Sequence, residues 1–253
     1  MSSLIVSSII FGVVFVGSLL GMALRRRLPE DHIGDSSKDV VRLVMGLIAT
    51  MAALVLGLLI ASAKGSYDTQ KSELVHASAQ VIQLGRLLSL YGPDAAEARA
   101  QLRSTMEQVI DHVWPSDRRG SANLALPAAT TAPKDVLTLI GNLQPQTSGQ
   151  RFAQSKALEI VEDLSMARVL LYEQSGASIS FPFLVVLVFW LVILFTAFGL
   201  FAPTNATVIA TLFVGAMSVA GAIFLILELD QPFAGLMRLS SGPLRDAIAQ
   251  MGI

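Results

Sequence analysis

The chain has 253 residues, 53% of them hydrophobic and only 15% charged, with a formal net charge of −1 and no cysteine. Ordinary soluble domains carry about 25% charged residues, so this is the composition of an integral membrane protein with a modest polar part. A net charge so near zero leaves no electrostatic footprint for nucleic acid, and the missing cysteines exclude disulfides, thiol catalysis and cysteine-based zinc sites.

Residues 4–24 form the first uncharged run, predicted as span one. No basic residue precedes it, and Arg25, Arg26 and Arg27 follow it directly. It also exceeds the roughly 7–15 residues of a signal-peptide core, so it reads as a retained span. Gly17 and Gly21, four apart, permit close approach of another helix. A short polar loop follows, holding Arg25, Arg26, Arg27, Lys38 and Arg42 against Glu30, Asp31, Asp35 and Asp39. His32 in this loop is read as solvated, and Asp35-Ser36-Ser37 as a helix N-cap region.

Residues 43–63 are span two, 21 residues without a charge. At about 1.5 Å per residue they cross a bilayer core of about 30 Å. Gly46, Ala49, Ala53, Gly57 and Ala61 recur every three or four residues and make one narrow face of small side chains. Such a face serves close helix packing, or it lines an apolar pore with room for an ion or water. Met51, Leu54, Leu58 and Leu59 lie mostly elsewhere. The helix does not stop at the membrane surface. Tyr67, Leu74, Val81 and Leu88 are seven apart, and Ala77, Leu84 and Tyr91 supply the second seam of a heptad. Gly65 and Gly85 are its weak points, and Gly92-Pro93 ends it.

Residues 64–180 read as an all-helical polar insertion. Asp94 and Glu97 resemble a capping box opening a helix to about Trp114, with Ala98, Leu102, Met106, Val109 and Val113 as its apolar stripe. Residues 116–133 read as a long loop and 134–143 as a short helix. A long helix follows over residues 150–175, with Ala153, Ala157, Ile160, Leu164, Ala167 and Leu171 on one side. Span three covers residues 181–202 and is crowded with phenylalanine, which suits a lipid-facing helix. Pro203-Thr204 is so short a turn that span four, residues 205–227, must pair antiparallel with it. A tail over residues 230–253 carries Pro232, Phe233 and a final helical turn or two from Leu244.

The predicted architecture is an all-α integral membrane protein: four transmembrane helices with a helical extramembrane domain inserted between helices two and three. Its segments are a first hairpin (1–63), the domain (64–180), a second hairpin (181–229) and the tail (230–253). The five basic residues of the first loop favour its cytoplasmic placement, which puts the N-terminus, the domain and the C-terminus on the non-cytoplasmic side. Lys64, Lys71, Arg168, Arg238 and Arg245 on the domain side pull the other way.

Glu228 and Asp230 sit where span four emerges, on the side of Lys64. In an oligomer they would form a ring of acids at a pore mouth and attract cations; alternatively they make an interfacial ion pair with Lys64. Thr207, Thr211 and Ser218 give span four a polar stripe, which lines a wet path or bonds to its own helix backbone. Glu73-x-x-His76 has di-iron spacing, with Glu107, Asp111, His112, Glu159 and Glu162 as further carboxylates and imidazole. Such sites want two of these motifs, and His76 falls off the heptad seam. No cofactor or metal is therefore expected. Without a nucleophile elbow, a P-loop or a dinucleotide fingerprint, neither is an enzyme.

Leu28-Pro29-x-x-His32, the glycine-spaced second span ending LVLGLLIASAK, Tyr91-Gly92-Pro93 and LELDQPFAGL over residues 227–236 together resemble the bacterial bestrophin-like membrane proteins, a family of unknown function. The resemblance spans essentially the whole chain. It implies the layout of bestrophins, pentameric anion channels whose second span lines an apolar neck. This second span departs from theirs in having no Phe, Tyr or Trp. The expected function is a homo-oligomeric channel in the bacterial inner membrane. Lipid and further copies of the chain would be its partners, and an inorganic ion, slightly favoured to be a cation, its permeant. The alternative is a membrane-anchored scaffold or envelope sensor acting through its helical domain.

Overall fold

The structure, a computed structural model, describes residues 2–27, 35–114, 132–176, 181–233 and 235–251. Among these residues all regular structure is helical. In chain order the helices are α1 (Ser3–Arg25), α2 (Asp35–Tyr91), α3 (Ala96–Val113), α4 (Ala132–Gly141), α5 (Ser148–Gly176), α6 (Phe181–Phe201), α7 (Ala206–Leu229) and α8 (Gly242–Gln250). Four of them, α1, α2, α6 and α7, are long and apolar enough to cross a membrane. The loop with His32 lies outside the described residues, and so does most of the expected 116–133 loop, whose last two residues begin α4.

The chain divides into two compact units, Met1–Ser66 with Ile179–Asp230, and Tyr67–Ser178 with Gln231–Ile253. In the first unit α1 packs against α6 and α7. Gly17 faces Thr196 and Val192, Gly21 faces Thr196 and Leu200, and Gly199 faces Ser18 and Met22. Residue numbers rise together along both helices, so α1 and α6 run parallel. A Cβ on Gly21 would land on the Thr196 carbonyl, and one on Gly199 on the Ser18 carbonyl. With glycine on both sides, the backbones meet directly. Arg25, at the end of α1, donates from Nη1 to the Ala202 carbonyl just past α6, which ties the matching ends of the two helices.

Overpacking a close contact costs about 1–3 kcal/mol. Gly21→Leu is therefore expected to lower the melting temperature of the detergent-solubilised protein. Gly12→Leu, at a position with open space around it, should leave it unchanged. Equal melting temperatures for the two variants would remove the α1–α6 contact as a stabilising element.

Aromatic side chains of the first unit divide between core and periphery. Phe11 and Phe15 of α1 meet Phe213 of α7 edge-on, at 5.3 and 5.5 Å. Phe183, Phe189 and Phe198 are exposed, as lipid-facing rings should be, whereas Phe195 is buried with its ring over Gly215. Asn205 caps α7, its side-chain oxygen accepting from the Val208 N–H at 2.9 Å.

The second unit is built on the continuation of α2. Leu74, Val81, Leu84, Leu88 and Tyr91 are buried in its core, so the heptad seam meets helices of its own chain. Gly65 and Gly85 do not interrupt the helix. It ends at Gly92, whose φ of 112° demands glycine. A 3-10 turn over Pro93–Ala95 follows, and α3 begins only at Ala96. Asp94 therefore lies before the helix start and makes no cap. The α3 stripe includes Ala98 and Leu102 as expected, but rotates to bury Thr105 and Ile110 as well.

α5 runs antiparallel to α2: Gln150 Nε2 donates to the Tyr91 carbonyl at 3.0 Å, and Gln80 Nε2 to Asp163 Oδ2 at 3.4 Å. Gln154 Nε2 donates to the Ile140 and Leu143 carbonyls, both at 2.9 Å, and so satisfies the C-terminal end of α4.

The tail, expected as an appendage, packs into this core with Phe233, Leu239, Leu244, Ala247, Ile248 and Met251. Trp114 holds it twice, donating from Nε1 to the Leu239 carbonyl at 2.8 Å and stacking edge-on against Phe233 at 5.8 Å. Met251 fills the notch left by Gly85, where a Cβ would come within 2.5 Å of its Cγ.

Candidate functional site

The candidate site rests on how α2 presents its circumference. At about 100° per residue, its side chains fall into three sectors within the membrane-crossing stretch. Ala52, Leu59 and Ala63 are buried against the first unit. Leu43, Leu47, Leu54 and Leu58 form a second, uncovered sector of large apolar side chains. The small face lies between these two. Gly46, Ala53, Gly57 and Ala61 are exposed, and Ala49, next to the buried sector, is half-buried. A Cβ added at Gly46 or Gly57 would meet nothing within 4 Å. The small residues are thus not consumed by packing within the chain, in contrast to Gly17, Gly21 and Gly199. Of the four crossing helices, α2 is the least covered.

The hydroxyls nearby are satisfied locally. Thr50 donates to the Gly46 carbonyl at 2.9 Å, Thr211 to the Thr207 carbonyl at 2.9 Å and Ser218 to the Val214 carbonyl at 2.8 Å. Thr207, Thr211 and Ser218 are all exposed on α7. Their back-bonding lets them sit on an uncovered helix face without an unmet donor.

At the end of α7, Glu228 is buried, with 3% of its surface exposed, and Asp230 is half-buried. Lys64 on α2 is exposed. All three engage a polar or electrostatic partner. The Glu73-x-x-His76 pair is split between environments, Glu73 half-buried and His76 exposed. Glu107, Asp111, Glu159 and Glu162 are exposed and His112 is half-buried. Tyr91 sits buried at the far end of the heptad seam. Its burial first, and the Asp94 carboxylate second, push its phenol above the ordinary range.

The model of the Bestrophin-like domain matches residues 12–244. The chain belongs to the bestrophin-like family. Comparison with curated proteins and with solved structures gave no match. The match takes in α1 through the start of α8, so both units of this bestrophin-like protein fall inside the family domain. Two of the motifs that carry the resemblance have structural roles. Gly92 of Tyr91-Gly92-Pro93 supplies the positive φ that ends α2. In the LELDQPFAGL stretch, Pro232 and Phe233 are buried, and the Pro232 carbonyl accepts from the Leu239 N–H at 2.6 Å. Trp114 and Met251 were not legible as partners of this stretch, because the residues they hold lie far away in the chain.

Proposed function

We propose that this bestrophin-like protein is a homo-oligomeric channel for inorganic ions, its pore lined by Gly46, Ala49, Ala53, Gly57 and Ala61 of α2. The observation that carries this reading is the small-residue face of α2, which the rest of the chain leaves open although it lies within a membrane-crossing helix. A strip of glycine and alanine that packs against nothing in its own chain leaves room beside the helix axis for an ion with part of its water. The bestrophin-like layout supports the same assignment, and by analogy the ring would hold five copies.

The unit with Tyr67–Ser178 would stand outside the lipid, inserted between the second and third spans. The loop with Arg25, Arg26 and Arg27 would face the bacterial cytoplasm. Asp230 is less buried than Glu228 and is the better placed of the two carboxylates to set the field at a pore mouth, which tilts selectivity slightly toward cations.

Reconstitution of the purified protein in planar bilayers tests the assignment. Stepwise conductance is expected in symmetrical salt, with a reversal potential under a KCl gradient that reports the preferred sign of ion. Silent bilayers across several salts and voltages, with the protein shown to be inserted, would overturn it.

A further inference from the structure

We infer that neighbouring copies meet outside the membrane through complementary faces of the second unit, the exposed side of α2 on one copy against the exposed side of α5 on the next. The inference rests on the homo-oligomer proposed above and names the surface through which it closes.

The two faces differ in charge. Exposed residues of α2 between 69 and 90 include Lys71 and Arg86 and no carboxylate. Exposed residues of α5 between 152 and 170 include Glu159, Glu162 and Asp163 and no cation. Each face also carries large apolar side chains that the chain leaves bare: Val75 and Leu90 on α2, Phe152 and Met166 on α5. Leu90 is 71% exposed and Phe152 66%. Side chains of this size, bared in water beside one another along a helix, mark an interaction surface more often than a solvated one.

The spacing agrees as well. Val75 and Leu90 are 15 residues apart, and Phe152 and Met166 are 14, which along a helix is about 21–23 Å for each pair. Copies of a membrane protein insert with one orientation, so their symmetry axis is the membrane normal, and rotation about it preserves the height of every residue. The contacts of Tyr91 with Gln150 and of Gln80 with Asp163 fix which residues of α2 and α5 share a height. That register sets Leu90 level with Phe152 and Val75 level with Met166. It brings Arg86 within one helical turn of Glu159. A head-to-tail ring therefore juxtaposes apolar with apolar at both ends and cation with carboxylate between them. A face of α2 against the same face of another copy would instead bring Arg86 to Arg86.

The chain has no cysteine, so introduced thiols report without background. Two differently tagged full-length chains, one carrying Leu90→Cys and the other Phe152→Cys, are co-expressed in membranes and oxidised, and the native mass of the detergent particle is measured in parallel. A disulfide-linked pair bearing both tags is expected, at least five-fold above the yield when Glu97→Cys on α3 replaces Leu90→Cys. Arg86→Glu on the first chain should reduce the yield, and Glu159→Lys on the second should restore it. A multimeric native mass with no Leu90–Phe152 product, or with equal yield from the α3 control, overturns this interface and leaves the homo-oligomer standing. A monomeric native mass overturns both.

Discussion

Gly57→Leu is expected to reduce single-channel conductance by roughly tenfold or more, since an apolar constriction of a narrow pore gates by dewetting. The substitution should not disturb the fold, because a Cβ at Gly57 meets nothing within 4 Å in its own chain. In a ring it would add one isobutyl group per copy at a single height. Leu58→Ala provides the contrast: Leu58 lies one step around the helix in the large uncovered sector, and its truncation should leave conductance near the parent value. The comparison is made by single-channel recording of both variants at matched protein density. Unchanged conductance in Gly57→Leu would move the pore off this face of α2, whatever the oligomeric state.

The largest stability effect is expected at Trp114. Truncation of a buried aromatic costs about 3–5 kcal/mol, and Trp114→Ala would in addition leave the Leu239 carbonyl without its donor. The tail should detach from the second unit, exposing residues 235–241 to limited proteolysis and lowering the melting temperature. Trp114→Phe keeps an edge-on contact with Phe233 and forfeits only the hydrogen bond, a loss of about 1 kcal/mol. Protease resistance of Trp114→Ala equal to that of the parent would mean that the tail is held by α8 alone.

These two predictions differ in how far the sequence anticipates them. The four crossing helices are legible because lipid admits only long stretches without charge. The run of α2 through Gly65 and Gly85 is legible because a seven-residue repeat persists across both glycines. The small face of α2 can be read as a stripe, but periodicity states only that the residues share a side, and the coordinates are needed to see that this side is open. The same limit applies to Gly17 and Gly21, whose spacing announces close approach without naming α6 as the partner. Trp114 is a plain end-of-helix residue until Leu239, 125 positions away, is found beneath it. Local rules also mislead at Asp94: its spacing to Glu97 suits a capping box, but the Gly92-Pro93 turn continues as a 3-10 turn and spends those residues before α3 begins.

The direct backbone contact of α1 with α6 bears on how the molecule is made. Gly21 and Gly199 are separated by about 180 residues, and a ribosome adds about 5–20 residues per second. The first span must therefore wait in the bilayer for some 10–40 seconds before the helix it fits exists. During that interval α2 is its only companion from the same chain, and α2 leaves most of its own membrane surface bare. The nascent hairpin of α1 and α2 is the stage at which this protein most needs an insertase or a holding chaperone, because two glycine-notched faces stand open in lipid and the covalent partner of one of them has yet to be synthesised.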